Sequence, residues 1–122
     1  MCILLVEDEW LIRTMVAEQL TDGGFTVREA EDGDQASALI VQDPDAFTLL
    51  VTDIHMPGSL DGIGLARLVR AFRPNFPVIY MTGRPDVLTH LQPFGPREVL
   101  LRKPLALSSL LATAQQLLGR SS

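Results

Sequence analysis

The sequence predicts an α/β fold, a parallel five-stranded sheet with helices on both faces. Two observations carry this. Short apolar runs alternate with amphipathic segments along the chain, and most of the runs lack the apolar–polar alternation of a half-exposed strand. The order strand–helix also repeats five times, the pattern of a doubly wound sheet. The length of 122 residues suits one domain.

Ile3-Leu4-Leu5-Val6 is the first buried strand. Leu11, Ile12, Met15, Val16 and Leu20 form a helical stripe, closed by Gly23-Gly24. Phe25-Thr26-Val27-Arg28 does alternate and reads as an edge strand. Ala36, Leu39 and Ile40 mark a shorter helix, and Leu49-Leu50-Val51 the third strand. Leu65, Leu68, Val69 and Phe72 form a helix stopped before Pro74. Val78-Ile79-Tyr80-Met81 is the fourth strand. Val87, Leu88 and Leu91, between Pro85 and Gln92, are spaced for a fourth helix that Pro93 and Pro96 cut short. Val99-Leu100-Leu101 reads as a fifth strand buried on both faces, and Leu107, Leu110, Leu111, Ala114, Leu117 and Leu118 as the last helix.

Composition narrows the function. Hydrophobic residues make up 47% and charged residues 20%, which is globular rather than disordered. Net charge is −5, with 15 acidic against 10 basic residues, which argues against nucleic acid as a partner. Cys2 is the one cysteine, so no internal disulfide forms and a reducing compartment is the default. The apolar start ends at Glu7-Asp8-Glu9, far short of a signal peptide or membrane span. Residues 1–122 read as a single cytoplasmic domain without linker, repeat or following effector domain. The same domain could also be carried at the end of a larger protein such as a hybrid kinase. Nine of the ten basic residues are arginine, and Lys103 is the only lysine.

In a parallel sheet all strand carboxyl ends lie on one edge, where ligands bind. Just past the first run come Glu7 and Asp8, past the third Asp53, past the fourth Thr82 and past the fifth Lys103. Each alone has an ordinary structural explanation: Asp8-Glu9 caps the next helix, Thr82 sits in a turn, Lys103 is a surface charge. Together they place three carboxylates, one hydroxyl and one ammonium at one edge. Three neighbouring carboxylates repel, and some stay protonated unless a cation is present. Mg²⁺ meets that need, because it takes oxygen ligands and typically uses one or two carboxylates plus substrate phosphate. Asp8 and Asp53 are the expected direct ligands. Glu7 would act through water, and the backbone carbonyl of His55 would add a further oxygen.

These residues resemble the receiver domain of bacterial response regulators. The resemblance runs from Ile3 to about Leu118 and rests on Val6-Glu7-Asp8-Glu9, Val51-Thr52-Asp53-Ile54-His55-Met56-Pro57, Asp61-Gly62, Met81-Thr82-Gly83 and Lys103-Pro104, in that order. The Met-Pro-Gly-Ser-Leu-Asp-Gly loop looks like that of stand-alone receivers in alphaproteobacteria. The resemblance implies a flavodoxin-like fold with strand order 2-1-3-4-5. It implies Asp53 as phosphoacceptor, with a sensor histidine kinase or histidine phosphotransferase as donor and Mg²⁺ as cofactor. It implies that Lys103 pairs with one phosphoryl oxygen and Thr82 with another, that Gly83 leaves space for the group, and that the Lys103-Pro104 bond is often cis. A downstream protein target and a homodimer are both compatible with it. Such a receiver is not an enzyme in the ordinary sense, but phosphorylates and dephosphorylates itself.

Several positions depart from the family pattern. Leu100 stands three before Lys103, where the family's switch uses an aromatic ring that swings inward when Thr82 moves. Tyr80 is the only tyrosine, and its strand position favours core packing. The proline-broken fourth helix suggests a switch by ordering of Pro85 to Pro96 instead of a ring flip. The loop after Asp53 carries Gly58 and Ser59, one residue more than is common. His55 and Arg84, two after Asp53 and Thr82, stand where the family modulates loss of the phosphoryl group. Competing readings fit less well. A haloacid-dehalogenase-type hydrolase wants a second Asp where His55 stands, and a flavin or nucleotide carrier wants a glycine-rich loop where Glu7-Asp8-Glu9 stands. A phosphate sink, or a degenerate receiver that binds partners without phosphorylation, is the remaining alternative.

Overall fold

The structure is a computed structural model that describes residues 2–56, 58–83, 95 and 97–119. The elements are β1 (Cys2–Val6), α1 (Trp10–Asp22), β2 (Thr26–Ala30), α2 (Gly33–Gln42), β3 (Leu49–Asp53), α3 (Gly62–Phe72), β4 (Val78–Thr82), β5 (Glu98–Arg102) and α4 (Leu107–Leu117). The five strands are parallel in the order β2-β1-β3-β4-β5, the flavodoxin-like order expected. The expected helix between Pro85 and Gln92 lies outside the described residues.

Period-two side-chain alternation divides the sheet between two cores. Leu4, Val6, Leu50, Val78 and Tyr80 face α2 and α3, packing on Ala36, Ile40, Leu65 and Val69. Ile3, Leu5, Leu49, Val51, Ile79 and Met81 face α1 and α4, packing on Val16, Leu20, Leu110 and Ala114. β3 and β4 are buried at every residue, as their unbroken apolar runs require. β5 departs from expectation: it is half-buried, with Arg102 exposed. It is an edge strand with one neighbour, so its apolar run is covered less than that of a central strand.

Two helix entries are closed by short polar side chains. Asp32 accepts the Gln35 amide at 2.8 Å to cap α2, and Asp61 accepts the Gly64 amide at 2.8 Å to cap α3. Gly23-Gly24 closes α1 as expected, with Gly24 at φ +96°.

The loop after β3 is held by two glycines at first helical positions. A β-carbon on Gly62 would lie 2.2 Å from the Asp53 carbonyl oxygen, and one on Gly33 2.1 Å from the Leu60 carbonyl oxygen. Both collisions are with backbone, so neither yields to a rotamer change. The Gly62 amide also donates to the Ile54 carbonyl at 3.0 Å. The start of α3 therefore sits directly against the end of β3.

Alanine normally stabilises a helix by about 1 kcal/mol relative to glycine. Here overpacking against backbone, which costs about 1–3 kcal/mol before that gain is subtracted, should outweigh it. Gly62→Ala and Gly33→Ala should each lower the thermal unfolding midpoint; an unchanged or raised midpoint would refute the close approach.

Candidate functional site at the carboxyl edge of the sheet

Strand ends position every member of the site. Asp53 and Thr82 are the last residues of β3 and β4, so each is held by ladder hydrogen bonds and not by a loop. Glu7 follows β1 directly, and its amide donates to Ala30 of β2 at 3.2 Å. Lys103 follows β5, and its amide donates to the Thr82 carbonyl at 2.8 Å. The Lys103–Pro104 peptide is cis, as the sequence led us to expect.

The ammonium of Lys103 joins two carboxylates. Its Nζ lies 2.6 Å from Glu7 Oε1 and 3.0 Å from Asp53 Oδ2. Glu7, Thr52 and Thr82 are fully buried, and Asp53 is 6% exposed. Asp8 is exposed beside them. Glu7, Asp8 and Asp53 each offer an oxygen, and the three oxygens lie within 4.8 Å of one another. The convergence read from the sequence is therefore real for Glu7, Asp8, Asp53 and Lys103.

Burial pushes the Glu7 carboxyl up to about 7. Lys103 opposes that rise, while Asp8 and Asp53 reinforce it. Near neutral pH Glu7 is thus poised between its protonated and ionised forms, with burial as the first cause and the neighbouring acids adding to it. Burial alone would lower the Lys103 ammonium, but Glu7 and Asp53 outweigh it and hold it above its ordinary value.

Capping by Asp8-Glu9 is not what the structure shows. Glu9 occupies the N-cap of α1 without a side-chain cap bond. Instead Glu7 Oε2 accepts the Glu9 amide at 3.2 Å, so the same buried carboxylate serves the helix entry and the ammonium. Arg13, which carried no signal in the sequence, fixes this corner: its Nη1 donates to the Glu7 carbonyl at 2.8 Å and its Nε lies 3.3 Å from Glu29. Thr52 Oγ1 donates to the Asp53 carbonyl at 2.9 Å.

The remaining candidates are placed as follows. His55 is half-buried; its Nε2 is buried without a hydrogen-bond partner among the described residues, and its ring nitrogens are not part of the carboxylate cluster. Gly83 is exposed, and among the described residues a β-carbon there would meet nothing closer than the Lys103 β-carbon at 4.0 Å. Leu100 is half-buried against the α2/α3 core. Arg84 and the segment Pro85 to Pro96, except Gly95, lie outside the described residues.

A family model for the response regulator receiver domain matches residues 3–115. The chain belongs to this receiver family. Among curated relatives, the response regulator MprA of Mycobacterium ulcerans is 36% identical over 121 residues, covering 98% of this chain and 50% of that protein. The chain thus spans about half the length of the curated relatives it matches. A response regulator receiver protein from Sinorhizobium medicae superposes with a TM-score of 0.87 at 30% identity, over 97% of this chain and 94% of that one. The receiver domain of the hybrid histidine kinase CckA gives a TM-score of 0.82 at 30% identity, over 97% and 99%.

Receivers of this family serve two-component signalling, switch on phosphorylation and pair with histidine kinases or phosphotransferases. They generally bind Mg²⁺ at an acidic site, and the oxygen-only donor set of this receiver fits a hard divalent cation. No helix among its described residues is long and apolar enough to cross a membrane.

A divalent cation held beside Glu7 would favour its ionised form. Mg²⁺ affinity should therefore rise as pH passes upward through about 7 and fall below it. The metal-free fold should show the opposite linkage, because the native Glu7 value lies above the ordinary carboxylate value of 4.5. That contribution to stability is fully present below 4.5 and lost as pH rises through about 7. Calorimetric Mg²⁺ titrations between pH 6 and 8 check this: Glu7→Gln should flatten the dependence, and a wild-type affinity flat with pH would contradict it.

Proposed function

We propose that Asp53 is the phosphoacceptor of a two-component receiver and takes its phosphoryl group from a phosphohistidine on a sensor kinase or phosphotransferase. The observation that carries this is the Lys103 ammonium held between Glu7 and Asp53 at 2.6 and 3.0 Å. In the transfer, an Asp53 carboxylate oxygen forms a bond to phosphorus as the donor's P–N bond breaks. The electron pair leaves with the imidazole, which takes up a proton. Before transfer, Lys103 neutralises the nucleophile and fixes its orientation. Afterwards its flexible stem lets the ammonium follow the new charge onto a phosphoryl oxygen. The Thr82 hydroxyl serves a second phosphoryl oxygen, and the open space at Gly83 admits the group.

Glu7 acting through water, Asp8, Asp53 and the His55 backbone carbonyl are the residues that would hold Mg²⁺. When bound, Mg²⁺ supplies neutralising charge for the phosphoryl oxygens. Residues 1–122 form one receiver unit, which acts in the cytoplasm where kinase and phosphotransferase domains meet it. It phosphorylates itself from a donor and loses the group by its own slow hydrolysis, switching partner binding in between.

Incubation with acetyl phosphate and Mg²⁺, read by intact mass, tests this. Wild type should gain one phosphoryl group and Asp53→Ala none. Lys103→Met should form the adduct about 10²-fold more slowly, the usual cost of losing one charge-stabilising donor. No adduct on wild type, or an equal adduct on Asp53→Ala, would refute the assignment.

A further inference from the structure

Glu7, Asp8 and Glu9 form the whole link between β1 and α1. Two of the three clustered carboxylates, Glu7 and Asp8, therefore stand on a link with no ladder of its own. Its place depends on the partners its backbone finds. The Glu7 amide donates to the Ala30 carbonyl, at the end of β2, at 3.2 Å. The Glu7 carbonyl accepts Arg13 Nη1 at 2.8 Å. Arg13 is the fourth residue of α1, and helical side chains lean toward the helix N-terminus, so its guanidinium reaches back over the link. Its Nε lies 3.3 Å from Oε1 of Glu29, the residue before Ala30 on β2. These contacts close a ring that runs from the Glu7 carbonyl through Arg13, Glu29 and Ala30 to the Glu7 amide.

The placement of Arg13 runs against simple electrostatics. Its guanidinium bonds the backbone of a residue whose carboxylate belongs to a cluster suited to a dication. Coulomb repulsion between the two cations counts against metal binding unless the geometry of Arg13 offsets it. That geometry is a fork. One nitrogen serves a carbonyl on the link and another faces a carboxylate on the neighbouring strand, at a spacing the planar guanidinium fixes. The Arg13 side chain is 12% exposed and that of Glu29 46%, so the fork lies half inside the fold with its outer partner in solvent.

We propose that Arg13 is a positioning residue for Mg²⁺, and that with Glu29 it anchors the Glu7–Asp8 link to β2 so that both carboxylates are pre-set for the ion. The role rests on the metal-site reading above. Asp53 needs no such help, because it ends a strand that is buried throughout. Asp8 is exposed, so packing does not hold it. Without the ring the link would have to be ordered as the ion binds, and that ordering cost would appear as weaker affinity. Arg13 touches no reacting atom and acts only through the backbone it holds.

The test is calorimetric titration of the whole metal-free chain with Mg²⁺, at constant pH and at a temperature where circular dichroism shows each variant folded. Arg13→Ala should bind Mg²⁺ about tenfold more weakly than wild type, the low end of the cost of losing a support behind metal ligands. Charge alone predicts the opposite sign, since removing a cation beside the site should tighten the binding of a dication. Arg13→Lys keeps the charge and loses the fork. It should bind about threefold more weakly, the worth of one ordinary hydrogen bond. Glu29→Ala should also cost about threefold, and should add nothing in an Arg13→Ala background, because it acts through Arg13. A merely structural role would lower the unfolding midpoint and leave the affinity of the folded chain unchanged. Affinity equal to or tighter than wild type in Arg13→Ala, or equal to wild type in Arg13→Lys, overturns the proposal. So does a full additive loss in the double variant, which would reduce Glu29 to a distant charge. No Mg²⁺ binding by wild type overturns the metal-site reading and the positioning role with it.

Discussion

The site depends on one ammonium ion. Two neighbouring strands, β1 and β3, deliver three acidic side chains to one edge of the sheet, two of them buried, and such an arrangement is unstable by itself. Lys103 resolves it by lying within ion-pair distance of both buried carboxylates. Breaking a buried pair by removing one partner typically costs about 3–5 kcal/mol, because the remaining charge is left uncompensated. A compact ammonium on a flexible stem suits two acceptors on different strands, and then a third on an incoming phosphoryl group. A planar guanidinium would lock onto one carboxylate by its two-pronged geometry. In a chain whose other nine basic residues are arginine, this is a physical reason for the exception.

Behind the ammonium the framework is stiff. β3 and β4, the strands that end in Asp53 and Thr82, are buried throughout, and the first residue of α3 packs on the Asp53 carbonyl too closely for any side chain. The charged atoms can therefore exchange partners without the scaffold following them freely. Motion that does escape must pass along a strand.

Much of this was legible in the sequence, for a definite reason. Buried parallel strands announce themselves as unbroken apolar runs, and the residue that ends each run must then lie at the common edge. Glu7, Asp53, Thr82 and Lys103 could thus be brought together without coordinates. What stayed hidden were contacts set by side-chain reach and not by spacing. Arg13 folds back onto the Glu7 carbonyl, and Glu98 gathers Tyr80, Arg70 and Gly95; nothing in their spacing marks either. Position in the sheet was a second gap. Val99-Leu100-Leu101 looks like a central strand by composition, and only the pairing order reveals an edge strand with half its covering. The acids before α1 looked like caps, whereas neither makes a side-chain cap bond and Glu7, buried for the site, accepts the amide of Glu9 instead.

The most direct test of the central interaction is a carbon-13 NMR titration of the side-chain carboxyl of Glu7, without metal, in wild type and Lys103→Met. In wild type the resonance should titrate near 7. In Lys103→Met it should titrate at higher pH, because burial and the neighbouring acids then act unopposed. A Glu7 carboxyl that titrates in the ordinary carboxylate range, or one indifferent to the loss of Lys103, would contradict a site organised around this ammonium.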